Sequence, residues 1–506
     1  MGTQERAPRC ELLVAAGRGH GHWRGRHAGN ATPIVVDPAT IQARAESRTG
    51  PRRLGAARAR APTATIRAMT QLDVEALRRR FPALSIAHGD GPIVFLDGPG
   101  GTQVPDVVIE AMADYLRAAN ANHGGAFATS RRSDAIVTEA HAAVADLFGV
   151  DSDEVTLGAN MTTLTFQFSR SIAAGLEPGD EIIVTGLDHA ANVDPWLAAA
   201  ADRGLVVRWW EPRLSDCTLD AADLEALLSP RTRVLAIGWA SNAVGTINPV
   251  AEAAAAAHRV GALVYVDAVA AAPHLVLDAR AVGADFVAAS VYKFFGPHVG
   301  AIFGRRAVRN TLRAYKVRPA DDRFETGTGN FEGYAGTLAA IGYLEDVGRM
   351  AGAPEGSTRR ERLVAAMRAI GAVETRLYRR LHDGLAAIPG VTLYGITDPA
   401  QFQRRTPTAA FTVAGLGSDA VARRLGDEGI AVWDGNFYAL GLVERLGLEG
   451  LGGLIRVGLT HYNTAGEVDR LLEAIGRIAV GGAGQGAFGP GAGTATAPEP
   501  GYAAAR

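Results

Sequence analysis

The sequence predicts an α/β protein: a large, mostly parallel sheet domain followed by a smaller C-terminal α+β domain. Three observations carry this. Short apolar runs of strand character alternate with helical segments between residues 148 and 289. A mainly helical stretch follows from Gly336 to Leu385, and short strands return beyond it. Such alternation builds a parallel sheet covered by helices on both faces, because each crossover must pass over the sheet.

The elements follow in order. Phe148 to Leu157 runs into Gly158-Ala159-Asn160 and then an apolar helical stretch. Glu181 to Thr185 is a strand after the turn Pro178-Gly179-Asp180. Leu205 to Trp210, Val234 to Trp239, Leu263 to Val266 and Asp285 to Ala289 are further strands, short and bounded by turn residues. Ala221 to Leu228 and Val250 to Val260 are helical. The later helical stretch is interrupted near Gly352 to Gly356, and strands near Val391 to Tyr394, Ala409 to Val413 and Leu454 to Gly458 form the smaller domain. The expected organisation is a leader over 1–68, an N-terminal segment and large domain over 69–335, bridging helices and small domain over 336–480, and a Gly/Ala/Pro tail over 481–506.

The leader holds 12 Arg and no Lys against the four acids Glu5, Glu11, Asp37 and Glu46. That composition fits an organelle transit segment, but the interrupting acids and the lack of a long amphipathic stretch favour a disordered extension. Met69 begins a more protein-like run and is the expected functional start.

Composition narrows the function. A chain of 506 residues accommodates two or three domains. With 21% charged and 47% hydrophobic residues it reads as an ordinary soluble protein. The formal charge of −2 gives no pull toward nucleic acid or membrane, and no apolar run approaches the ~18 residues of a membrane span. Two cysteines, Cys10 and Cys217, make neither a disulfide framework nor a Cys-rich metal site. A reducing, cytoplasmic compartment fits this usage.

One count is more pointed. Of 51 basic residues only Lys293 and Lys316 are lysine, leaving 49 arginines. A lysine retained against that bias suggests a job arginine cannot do, and imine formation, which needs a primary amine able to lose its proton, is one. For Lys316, in Tyr-Lys-Val-Arg, chance survival is the simpler reading. Lys293 sits between Tyr292 and Phe294 after a predicted strand, where partial desolvation favours the neutral, nucleophilic amine.

Three features converge on that lysine. Tyr265-Val266-Asp267 places an acid at the end of a predicted strand, where open α/β sheets bind ligands; taken alone, a helix cap is its default role. Lys293 follows Asp267 by 26 residues. Polar residues mark other strand ends: Gly158 to Thr163 opens a helix whose free N–H groups suit a phosphate, while Asp188-His189 and Ser241-Asn242 follow two further strands. No Gly-x-Gly-x-x-Gly turn follows the first strand, which argues against a dinucleotide fold.

Together these stretches resemble the class V aminotransferase family of pyridoxal-phosphate (PLP) enzymes, and most closely its cysteine-desulfurase-like branch. The resemblance runs through Phe95 to Gly101, Asp188 to Trp196, Ser241 to Pro249, Val266 to Ala268, Ser290 to Pro297, Gly327 to Asn330, Arg456 to Gly458 and Tyr462 to Thr464, in family order over roughly residues 72 to 478. It implies the PLP-dependent transferase fold (fold type I), an amino-acid substrate, and a homodimer with shared active sites. It implies roles as well. Lys293 would form the Schiff base and move the substrate's α-proton. Asp267 would partner the pyridinium nitrogen and keep the ring a good electron sink. His189 would stack on the ring. Ala159, Asn160 and Ser290 would contact the phosphate, Asn242 the substrate and ring oxygen. Arg456 would grip the substrate carboxylate with its bidentate fork, and Thr328 would reach the neighbouring subunit's phosphate.

The sequence also departs from that branch. Desulfurases carry sulfur on a mobile cysteine; the corresponding loop here reads Val432-Trp433-Asp434-Gly435-Asn436-Phe437-Tyr438-Ala439 and has none. Persulfide transfer then lacks its thiolate. Ala270 stands where a Gln or His is usual, and Tyr292 where many members carry His. The expected activity is a PLP-dependent lyase or aminotransferase acting at an amino-acid α-carbon; the alternative is a non-catalytic PLP-binding or regulatory homologue. The identity of the amino acid is not legible.

Overall fold

The computed structural model describes residues 72–89, 91–317 and 323–483. The expected leader, with Met69 and Cys10, and the tail from residue 484 onward lie outside them. Ala465–Ala483 is one helix, so helical structure runs three residues beyond the boundary expected at 480.

A seven-stranded sheet forms the larger layer. Its strands are β1 (Val155–Gly158), β2 (Glu181–Thr185), β3 (Val206–Trp210), β4 (Thr232–Gly238), β5 (Leu263–Asp267), β6 (Phe286–Ser290) and β7 (Gly300–Gly304), in the order β1-β7-β6-β5-β4-β2-β3. The ladders among β2 to β6 are parallel, and β7 runs antiparallel to both β1 and β6. The strands β2, β4, β6 and β7 are buried along nearly their whole length, as suits strands of a sheet covered by helices on both faces.

Two details differ from the sequence expectation. Phe148 closes the helix Ala128–Phe148, and the strand begins only at Val155. Gly149 in a left-handed conformation ends that helix, and Asp151 with Glu154 forms a capping box between the two elements. The strand β7 was not anticipated: five residues bounded by glycines give too short a periodic signal.

The helices Phe331–Met350 and Arg359–Ala387 bridge to a smaller four-stranded sheet, with the expected break between them. That sheet comprises β8 (Val391–Tyr394), β9 (Thr408–Val413), β10 (Trp433–Gly435) and β11 (Leu454–Gly458), ordered β8-β9-β11-β10 and antiparallel throughout. The chain ahead of β1 serves both sheets. Leu77 and Phe81 are buried in the large core, whereas Val94 and Leu96 are buried with Phe411 and Val457 of the small one. Val94–Phe95 pairs in parallel with Ile430–Ala431. The next residues, Asp97 to Gly100, therefore lie where the two sheets meet. Among the described residues, no helix is long and apolar enough to cross a membrane.

Candidate active site

The ends of the parallel strands open into a cavity of about 570 Å³, closed on its other side by the 433–438 segment of the small sheet. Asp267, Ser290, Lys293, His189, Asn242 and Arg456 all line it. Five of these six stand at the ends of strands of the large sheet, and Arg456 comes from the small one. Asp267 ends β5, opposite Ala288 of β6 and Gly238 of β4. Ser290 ends β6, and Lys293 lies in the single 3-10 turn that follows.

Asp267 is buried, with Oδ1 accepting the Val269 N–H at 2.8 Å. Desolvation pushes its carboxyl up to about 7, and the neighbouring Asp188 adds to the effect. Lys293 shows the mirror image. Burial, reinforced by Arg456, brings its ammonium down to about 7, against the opposing pull of Asp267 and Asp97. Its Nζ donates to the Pro99 carbonyl. At neutral pH a substantial share of this amine is unprotonated, the form that attacks a carbonyl.

His189 accepts the Ala191 N–H on Nδ1 at 2.9 Å, which leaves the remaining proton on Nε2. Burial, with Lys293 and Arg456 nearby, lowers it to about 4, so the ring is neutral. At the other wall, Met161 and Thr162 open the helix Met161–Ala173. Its first turn approaches β7 so closely that a Cβ on Gly300 would lie 2.3 Å from the Asn160 carbonyl carbon. The Met161 N–H donates to Ser290 Oγ at 3.3 Å. A helix N-terminus beside a serine hydroxyl is a suitable seat for a phosphate.

The expected phosphate contacts divide. Ser290 lines the cavity. Ala159 and Asn160 do not; the wall is formed by the next two residues, and the Asn160 side chain caps the helix through Thr163 N at 2.8 Å. Thr328 is exposed and outside this cavity; Lys316, partly buried, also lies outside it.

Arg456, from β11, is buried, with burial lowering it to about 9, which still leaves the guanidinium charged at neutral pH. Its Nη1 donates to the Asn242 carbonyl at 2.9 Å, and its guanidinium lies 4.2 Å from the centre of the Phe437 ring. Its Nε has no hydrogen-bond partner among the described residues, and neither has Asn242 Oδ1. Both atoms are buried.

Sequence reading missed Asp188 as a carboxyl in its own right. It is buried, held by Asn192 Nδ2 at 2.8 Å, and pushed by desolvation to about 6. Asp97, also lifted to about 6 by burial, had been noticed only as part of a longer match. Neither residue carries a sequence signal beyond standing after a strand. Asn436, Phe437 and Tyr438, which the family resemblance sets at the entrance, line the cavity together with Trp433, Asp434 and Gly435. No cysteine lines it. Cys217 is a buried free thiol whose pKa burial raises to about 11.

Residues 94–471 match the aminotransferase class-V family. The chain belongs to that family. It is 34% identical over 423 residues to the aminotransferase-like protein FGM3 of Gibberella zeae, covering 80% of this chain and 98% of that protein. It is 30% identical to a cysteine desulfurase of Serratia proteamaculans, covering 80% and 98%. Among solved structures, the apo cysteine desulfurase of Thermococcus onnurineus superposes with a TM-score of 0.71 at 25% identity, covering 80% of this chain and 98% of that one. The cysteine desulfurase CsdA of Escherichia coli superposes with a TM-score of 0.67 at 27% identity and the same coverage. The class V, cysteine-desulfurase-like assignment and the α/β fold of this enzyme family thus stand, and the fold supplies the buried lysine pocket described above.

Proposed function

We propose that this class V enzyme holds pyridoxal phosphate on Lys293 and acts at the α-carbon of an amino acid, as a lyase or an aminotransferase, without a persulfide-carrying cysteine. The observation that carries the reading is the convergence in one cavity of a desolvated amine, a buried carboxyl at a strand end, a neutral imidazole and a buried arginine with an unused Nε. The donor set fits the group. The helix N-terminus with Ser290 would seat the phosphate, Asp267 would partner a ring nitrogen, and the unpaired Asn242 Oδ1 would offer a further polar contact.

Bound there, the group would supply an electron sink for the bond broken at the α-carbon. The protein does the rest. Asp267, half-titrated near neutrality when alone, would ionise beside a cationic ring nitrogen and hold its proton in place. His189 would cover the ring face as a neutral aromatic. Arg456 would take the substrate carboxylate, and Lys293 would move the proton at the α-carbon. Desulfurase chemistry of the usual kind would need a thiolate in the 433–438 loop, which has none. Cys217, buried and raised toward 11, is no substitute. Exposed Thr328 suits contact with a second subunit, so a homodimer completing each site belongs to the same proposal. A cytoplasmic setting fits the free thiol at Cys217.

Incubation with PLP should give a visible absorption band, and borohydride should bleach it and fix the label on the Lys293 peptide. A colourless protein that takes up no PLP overturns the proposal. Products from a screen of the twenty standard amino acids then separate the reactions: ammonia and a keto acid for a lyase, an aminated keto acid for an aminotransferase.

A further inference from the structure

The loop closing the cavity bends through two consecutive non-glycine residues in the left-handed region, Phe437 at φ 55° and Tyr438 at φ 58°. Bulky L-residues adopt this conformation only at an energetic cost. Such strain persists only where surrounding contacts over-determine it. Those contacts are present. The Phe437 carbonyl accepts from Asn242 Nδ2 at 2.8 Å, and the Tyr438 carbonyl from the Ala190 N–H at 2.7 Å. Asn436 Oδ1 accepts the Tyr438 N–H at 3.0 Å. Each anchor on the large-domain side neighbours a cavity residue: Asn242 itself, and Ala190 next to His189.

The elbow leads to Arg456. The Phe437 ring lies against its guanidinium at 4.2 Å, while Nη1 is tied to the carbonyl of the same Asn242 that holds the Phe437 backbone. One guanidinium face and one nitrogen are thereby fixed. The Nε, buried and unpaired among the described residues, belongs to the edge left over. A guanidinium held on its face and at one corner presents its remaining edge in a set plane, the requirement for two parallel hydrogen bonds to a carboxylate.

Resting on the reading of this site as an amino-acid site, we infer that the Phe437–Tyr438 elbow is a positioning device for substrate selection: it aims the free edge of Arg456 so that the site prefers an α-amino acid with a free carboxylate over the same molecule with that carboxylate masked. Phe437 acts through Arg456 and is a positioning residue.

The test compares binding of free amino acids and their carboxamides to the PLP-loaded protein by calorimetry, for wild type, F437A and F437Y. A cation–aromatic contact at a desolvated site is worth about 2 kcal/mol, which corresponds to a loss of roughly thirtyfold as an upper figure. The acid-over-amide preference should therefore fall by about tenfold or more in F437A and return in F437Y, which keeps the ring. PLP absorption should be unchanged in both, and F437A should weaken binding of the acid while leaving that of the carboxamide nearly as in wild type, a split that a merely structural role would not produce. Equal preference in F437A and wild type overturns the inference, and so does a wild type with no acid-over-amide preference for any of the twenty standard amino acids. Failure of the wild type to take up PLP is a different result, and it strikes the proposed function instead.

Discussion

The two sides of the cavity are built on opposite principles. The floor consists of strand ends: Asp267 sits in register between β4 and β6, with Trp239 N donating to its carbonyl at 2.7 Å, and Lys293 follows β6 by a single turn. The mouth is a loop with two left-handed aromatic residues, of which Tyr438 is 67% exposed, held by a few side-chain bonds. A ladder fixes position cooperatively, whereas a loop pinned at three points depends on each pin. Chemistry that tolerates little displacement belongs on the floor. Discrimination between substrates, which differs among relatives of one fold, belongs at the mouth.

The sharpest way to break this comparison is at Lys293. K293R keeps a cation of similar reach in a chain already dominated by arginine, and removes only the titratable primary amine. Turnover should drop by about 10²–10⁴-fold, the range for loss of a positioned proton-transfer group, and borohydride should no longer fix any label. Product assays with single amino acids check the first, peptide mapping the second. A K293R protein with near-normal turnover would remove the floor from the mechanism.

A buried pair of opposite sign allows a subtler probe. Asp267 is raised from 3.8 to about 7 in the folded protein, so the folded state keeps its proton longer than the unfolded chain does. Its stabilising share is whole below 3.8 and is lost as pH climbs to about 7. Lys293 is lowered from 10.5 to about 7, so in that interval the unfolded chain holds the extra proton and stability rises with pH. The pair therefore contributes least near pH 7 in protein free of PLP. D267N deletes the acidic branch. The melting-midpoint advantage of wild type over D267N should shrink between pH 4 and 7 and then level; a flat difference would mean that the carboxyl is not desolvated. With PLP bound, losing a hydrogen bond to a charged group should weaken retention by roughly 10- to 150-fold, measurable by dialysis.

How much of this was legible follows the same division. The floor could be read because each of its parts is an ordinary strand-end consequence: apolar run, then Asp267; apolar run, then Ser290 and Lys293. The lysine count made one of them conspicuous. Asp188 was harder, since one more acid after a strand carries no label until burial is known. Within the stretch Gly158 to Thr163, the sequence does not say which residues face the cavity; the packing of the helix turn against Gly300 turns Met161 and Thr162 toward it. The mouth was nearly silent. Trp433 packs where a Cβ on Gly100 would lie 2.1 Å from its indole nitrogen, a contact across more than 300 residues with no local signature. Arginine shows the limit best. Arg405 and Arg456 are both buried beneath an aromatic ring, at 4.1 and 4.2 Å. Arg405 is spent on the carbonyls of Ile396, Val244 and Thr408, while Arg456 is tied to one carbonyl only. Sequence context picked out Arg456 by resemblance; only the hydrogen bonds explain why the other is structural.

His189 joins the two sides, and the smallest effect is expected there. Its ring faces the cavity, its neighbour Ala190 pins the Tyr438 carbonyl, and its centroid lies 5.4 Å from that of Tyr438. The imidazole is neutral above a pKa of about 4, so its contribution to holding a planar cofactor is that of an aromatic face together with one Nε2–H donor. A stacking contact is worth about 0.5–1.5 kcal/mol, or roughly 2- to 12-fold in affinity. H189A should weaken PLP retention by that factor, and H189F should restore most of it, with the pH dependence of cofactor uptake unchanged because this ring does not titrate in the working range. If H189F binds PLP as poorly as H189A, the Nε2–H donor and not the ring face is what matters, and His189 then belongs with the hydrogen-bonded pins of the mouth, not with the floor.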